Sequence, residues 1–138
     1  MFAKVSLLLK NKTIALLGAN NDRHTRAFHL FLALEKLGYD LLPICTGENT
    51  ICQRPAFPNL TTARPFPDVA FFAFSEDEDE GKILTALNEM RDMKITAAVF
   101  LNDNLTHAAQ KKCEEFFLQT EVVEYGKFLH ALRHEAHV

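Results

Sequence analysis

The sequence predicts an α/β domain whose parallel sheet is doubly wound, with helices on both faces, and three observations lead there. Apolar blocks of five to seven residues alternate with longer stretches whose apolar residues recur three and four apart. The first block, TIALL at 13–17, is apolar throughout and is closed by Gly18, as suits a strand buried on both faces. Strands separated by helices are joined by crossovers, and these pack onto a parallel sheet in the right-handed sense.

Each element follows from its own pattern. Phe2, Val5, Leu8 and Leu9 fit a short lead-in helix ending near Asn11, before the strand at 13–17. From Asp22 to Leu37, Ala27, Leu30, Phe31, Leu34 and Leu37 keep helical spacing, and Gly38 stands where a left-handed C-cap belongs. YDLLPI (39–44) is the second strand and DVAFFAF (68–74) the third. Between them, residues 46–67 hold Pro55, Pro58, Pro65 and Pro67 without a helical period. That connection is expected mostly as loop or a short helical turn, and its length points to function or a family feature. Ser75 with Glu78 reads as a capping box opening a helix to about Met93. TAAVFL (96–101) is the fourth strand, a helix runs from about Thr106 to Leu118, and EVVEY (121–125) is the fifth strand. A last helix over 126–137 carries Phe128, Leu129 and Leu132. Neither a repeat nor a charge-shifted linker breaks the chain, so a single domain over 1–138 is expected.

Composition narrows the function classes. The chain of 138 residues is 48% hydrophobic and 24% charged, ordinary for a soluble globular protein. A net charge of −3 gives no pull toward nucleic acid or an anionic membrane. No apolar run approaches the roughly 20 residues that span a bilayer. The opening MFAKVSLLLKNK is too short in apolar residues, and lacks the cleavage site, for a secretory signal. Cys45, Cys52 and Cys113 form no CxxC pair and cannot all pair within one chain, which points to a reducing cytoplasm.

The turn GANNDR, 18–23, carries the most specific chemistry. Backbone N–H groups of residues 19–22, with the positive end of the following helix, would form an anion cradle that asks little of side chains. Asn20 and Asn21 add amide donors and tolerate left-handed backbone. Arg23, His24 and Arg26 put positive charge on a first turn where the helix dipole favours acids. A bound anion would explain that choice, and so would solvated arginines on an exposed helix start. SEDEDE, 75–80, is expected to complement the dipole of its own helix on a solvated face. Facing the crevice, it would repel an anion.

Several stretches recur together in one family: LLGAN (16–20), LEKLGY (34–39), LLPICT (41–46), FPNL (57–60) followed by Pro67 and Asp68, and FLN (100–102). In these the chain resembles the small CoA-binding domain family, whose Rossmann-like fold also forms the N-terminal part of succinyl-CoA synthetase α subunits. The matching family patterns are a G-A-S turn, L-x-x-x-G-Y, a strand ending P-V-N-P, Y-P-S-L with a later proline and V-D, and W-L-Q. The resemblance implies five parallel strands in the order 3-2-1-4-5, with a ligand crevice at the carboxyl ends of strands one and four, where that order reverses. It implies CoA or acyl-CoA as ligand. The residues expected to hold it are Gly18, Ala19, Asn20, Asn21, Arg23, Arg26, Cys45, Thr46 and Asn102. The chain departs from the pattern where ligand would lie. Asn20 replaces the turn serine, and the helix-start serine aligns near Ala27. Cys45 and Thr46 replace an asparagine and a proline, and Asp103 or Asn104 replaces a glycine. The cysteine after the fifth strand is missing at Tyr125–Gly126.

Rival chemistries fit less well. An NAD-type site needs G-x-G-x-x-G and an acid ending the second strand. Here Asn20 and Arg23 take the later glycine positions, and the strand ends Ile44–Cys45–Thr46. His130 and His134 share a helical face without the acid of a metalloprotease pattern, and with His137 they read as a solvated helix end. Cys45 at a strand end is either a reactive thiol or a buried free cysteine, and Cys113 is a helix packing residue. The phenylalanines lack the basic interleaving of an RNA-binding surface. With no metal site and no base–nucleophile pair, the sequence reads as a stand-alone, non-catalytic domain. Its partner would be CoA, an acyl-CoA or a related nucleotide, with no nucleic acid and no membrane. The alternative is a ligand-less interaction module or homodimer.

Overall fold

A computed structural model describes residues 2–135. It opens with helix α1 (Ala3–Leu9), strand β1 (Thr13–Leu17), helix α2 (Arg26–Lys36) and strand β2 (Asp40–Ile44). A small antiparallel hairpin, β3 (Thr50–Ile51) with β4 (Arg54–Pro55), and a 3-10 turn at Leu60–Thr62 fill the long connection. Strand β5 (Val69–Phe72), helix α3 (Glu80–Met93), strand β6 (Ala97–Leu101), helix α4 (His107–Glu115), strand β7 (Gln119–Val123) and helix α5 (Tyr125–Glu135) complete the chain. His137 lies outside the described residues.

The five long strands form one parallel sheet in the order β2-β1-β5-β6-β7, a Rossmann-like α/β arrangement. Counted as five strands along the chain this is 2-1-3-4-5, so the order 3-2-1-4-5 needs correcting: the third strand pairs with the first, not the second. Ile14 lies opposite Val69 and Leu17 opposite Phe72. The reason sits on the outer edge of β2. There Phe57 donates to the Pro43 carbonyl at 3.0 Å and accepts from the Cys45 amide at 2.8 Å. The connecting segment thus occupies the edge that a third strand would have needed. Pro43, which has no N–H to offer a second neighbour, is at home on an edge strand. The chain then crosses to the far side of β1. Asp68 fixes its arrival, donating its amide to the Thr13 carbonyl (2.8 Å) and accepting from the Thr13 amide on its carboxylate (2.9 Å).

The period-two alternation of each strand splits the core into two layers. Ile14, Leu16 and Phe71 face α1, α2 and α5, meeting Leu9, Phe31, Leu34 and Phe128. Ala15, Leu17, Phe72 and Phe100 face α3, α4 and the 3-10 turn, meeting Leu60, Leu87 and Met90. Phe72 and Phe100 stack with ring centroids 4.3 Å apart. Each fully buried side chain of this size contributes about 1.5–3 kcal/mol relative to exposure. Cys113 packs in the second layer, as expected of a helix core residue. Among the described residues no helix is long and apolar enough to cross a membrane.

Helix starts differ from the sequence expectation. Helix α2 begins at Arg26 rather than Asp22, because Thr25 caps it by accepting from the Phe28 amide. Ser75 and Glu78 do not form a capping box: the Ser75 carbonyl accepts from the Glu78 amide in a turn, and Asp79 caps α3 by accepting from Gly81 at 2.8 Å. Helix α4 stops at Glu115, ahead of Phe117, whose φ of 56° is left-handed. The last strand ends at Val123, so Tyr125 opens a helix instead of closing a strand.

Candidate functional site

The turn after β1 is tight for a reason internal to the fold. Gly18 has φ +86°, and a Cβ there would lie 2.8 Å from the Ala73 carbonyl oxygen and from the Phe74 amide nitrogen. Only glycine lets the ends of β1 and β5 meet so closely, a contact joined by Ala73 donating to the Leu17 carbonyl at 3.0 Å. Asn20 then organises the loop. Its Oδ1 accepts from the Asp22 amide (2.9 Å) and the Thr25 hydroxyl (2.8 Å), while its Nδ2 donates to the Gly18 carbonyl (3.3 Å). The amides of Ala19 and Asn20 meet no intramolecular acceptor among the described residues.

Those two residues border a cleft of about 570 Å³ at the carboxyl ends of β1, β2 and β5. Adjacent connections leave β1 and β5 toward opposite faces of the sheet, which opens a crevice between them. The reversal therefore lies between strands one and three, and the crevice expected at strands one and four moves with the corrected order. Cys45 and Thr46 border the cleft from the end of β2, Phe74 lies beyond the end of β5, and Asn59 comes from the long connection. Helix α3 contributes Lys82, Thr85 and Glu89, whose spacing puts them on one helical face. Its size is typical of small-molecule sites.

The electrostatics of the cleft differ from expectation. The acidic run is exposed, but Glu78 and Asp79 also border the cleft instead of only facing solvent. Glu78 pairs with Lys82 at 2.5 Å. The Cys45 thiol is pushed up by burial first and by the neighbouring Glu48 second, so it stays protonated at neutral pH. Its Sγ donates to the Thr46 carbonyl at 3.4 Å. Such a shift disfavours the thiolate that a reactive cysteine needs, while the side chain stays half-buried at the cleft edge.

Of the expected contact residues, Gly18, Ala19, Asn20, Cys45 and Thr46 converge on the cleft. The others are elsewhere. Asn21 holds the small hairpin, donating to the Thr50 carbonyl at 2.9 Å and accepting from the Cys52 amide at 3.1 Å. The Arg23 side chain is exposed outside the cleft, and its carbonyl takes the His29 ring nitrogen at 2.7 Å. Arg26 is held by the Asp103 carboxylate and the Phe74 carbonyl, each at 2.8 Å. Asn102 is exposed in the 3-10 turn after β6. Asn104, the buried polar residue of that turn, accepts from the Phe74 amide at 2.9 Å and donates to the Phe74 carbonyl at 3.0 Å. The cluster Arg26–Asp103–Asn104 thereby fixes Phe74 in the cleft wall. Sequence reasoning missed Phe74, Lys82, Glu89 and Asn104. The polar stripe at 82, 85 and 89 could have been found once β5 was placed beside β1. Among the described residues no group of histidine, cysteine and acid side chains could hold a metal ion.

A sequence profile of the CoA binding domain matches residues 12–126. Three solved structures illustrate the fold likeness. A hypothetical protein from Pyrococcus horikoshii OT3 superposes with a TM-score of 0.80 at 17% identity, over 95% of this chain and 90% of its own. A Thermus thermophilus protein gives 0.75 at 19% identity, over 93% and 95%. The dinucleotide forming acetyl-coenzyme A synthetase 1 of Ca. Korarchaeum cryptofilum, in complex with phosphate and ADP, gives 0.66 at 16% identity, over 84% of this chain but 26% of its own. At these identities the likeness is one of fold. No curated protein sequence matches the chain.

Proposed function

The chain belongs to the CoA binding domain family, and from that premise we propose that it binds CoA, an acyl-CoA or a related nucleotide in the cleft beside Gly18. The observation that carries this reading is the pair of acceptor-free amides, Ala19 and Asn20, at the edge of a cleft of about 570 Å³. Backbone donors at such a turn suit the oxygens of a diphosphate. Asn20 would hold the loop in shape for it, and Thr46 and Thr85 offer hydroxyls to the rest of the ligand. Phe74 and the buried Ile44 and Ala86 give the cleft apolar wall for a nucleoside or acyl portion. The role is one of binding. Burial and Glu48 raise the Cys45 thiol and disfavour its thiolate, which supports a binding role over nucleophilic catalysis.

One observation favours a second reading, a domain that has lost its ligand and serves as an interaction module or homodimer. Arg23 and Arg26, the cations expected to meet phosphate, are respectively outside the cleft and bound to Asp103. Thermal melting separates the two. At about a hundred times the dissociation constant, a ligand adds roughly 2.7 kcal/mol of stability, which is several degrees for a chain of this size. CoA species are expected to give that shift and NAD to give less, since β2 ends without the acid that holds the NAD ribose. A folded protein whose melting no CoA species moves at millimolar concentration would favour the interaction module.

A further inference from the structure

The cleft is acidic where its proposed ligand is anionic. Of its charged lining residues, Glu78, Asp79 and Glu89 are carboxylates and Lys82 is the one cation among the described residues, already paired with Glu78. On the turn side, Arg26 is paired with Asp103 and the exposed Arg23 lies outside the cleft lining. Phosphate recognition is left to backbone amides, which hydrogen-bond an anion without supplying full positive charge. A second phosphate group on the same ligand therefore meets three carboxylates against one ammonium. Inside a cleft of this size it sits within a distance comparable to the Debye length, about 8 Å at physiological salt, so the repulsion is only partly screened.

We propose that the cleft selects a nucleotide whose charge is confined to its diphosphate, so that 3′-dephospho-CoA binds in preference to CoA. The two ligands differ only by the ribose 3′-phosphate, which makes them a matched pair for charge. The inference rests on the nucleotide reading above. Selection here works through charge and not shape. Glu78→Gln with Glu89→Gln keeps side-chain size, frees Lys82, and leaves Asp79 as the only lining carboxylate among the described residues. Glutamine also retains an acceptor for the Thr61 amide, which reaches Glu89 at 3.4 Å.

Titration calorimetry with both ligands at low salt tests the proposal, on the parent and on the double variant, with melting of each as a check on folding. The parent is expected to bind 3′-dephospho-CoA roughly fivefold or more tightly than CoA. In the double variant, and in the parent at about 0.5 M salt, the ratio should fall to near one. CoA binding as tightly as its dephospho form in the parent, or a preference unchanged by the double variant, would overturn the proposal. A folded parent that binds neither ligand would overturn the nucleotide reading itself, and the selectivity with it.

Discussion

Two neighbouring residues in the turn after β1 do different jobs, and substitutions can tell them apart. Gly18 serves the fold: its left-handed φ and the backbone of Ala73–Phe74 only 2.8 Å from any Cβ leave no space that could open. Valine there would be strained and overpacked together, a combination expected to destabilise by about 3 kcal/mol or more. Asn20 serves the loop and borders the cleft. Asn20→Asp keeps the acceptor for the Asp22 amide and the Thr25 hydroxyl, and loses only the long bond to the Gly18 carbonyl. Its stability is expected to stay within about 1 kcal/mol of the parent. Its new charge beside the free amides should weaken nucleotide binding by about tenfold or more. Urea melts and calorimetric titrations of both variants read the contrast. An Asn20→Asp protein that binds CoA as well as the parent would show that phosphate is not held at this turn.

Elements were largely legible in the sequence, and their beginnings were not. TIALL, VAFF and AAVFL announce buried strands because both of their faces are apolar, and α2 and α3 keep apolar residues on one side. Start signals are shared among near neighbours. Ser75 reads as a cap and the helical pattern of α2 as starting at Asp22, yet each forms a turn through its carbonyl while Thr25 and Asp79 do the capping. Helix α5 shows a cap the sequence did not suggest. Glu124 accepts from the amides of Gly126 (3.0 Å) and Lys127 (2.8 Å), and these bonds, Lys127's first, hold its carboxyl below the ordinary carboxylate range. A folded-state pKa below the unfolded one means that the unfolded chain takes up the proton first as pH falls. The stabilisation is therefore complete above the unfolded value, near about 4.3, and lost as pH drops through the folded value. Melting temperature against pH should fall less steeply below about pH 5 for Glu124→Gln than for the parent. Identical acid slopes would show that this cap contributes nothing to α5.

At the scale of the molecule, the order of strands decides where a site can be, and local patterns encode that order weakly. Whether the third strand lies beside the first or the second depends on the Phe57 bridge to β2 and on the pairing of Thr13 with Asp68, contacts far apart in sequence. Pro43 was the one local sign, since a proline in mid-strand belongs at a sheet edge. Moving the crevice to β1 and β5 kept Gly18, Asn20 and Cys45 in the site, left Asn102 out, and brought in the α3 face with its acids. The central claim is that a nucleotide lies in this cleft with its phosphates on the amides after Gly18. Amide chemical-shift mapping by NMR during titration with CoA and 3′-dephospho-CoA tests it most directly. The account predicts the largest shifts at Ala19 and Asn20, with smaller ones at Cys45, Thr46, Lys82 and Thr85, and little change around Asn102. Saturable binding that leaves Ala19 and Asn20 unmoved and perturbs another face of the sheet would contradict it.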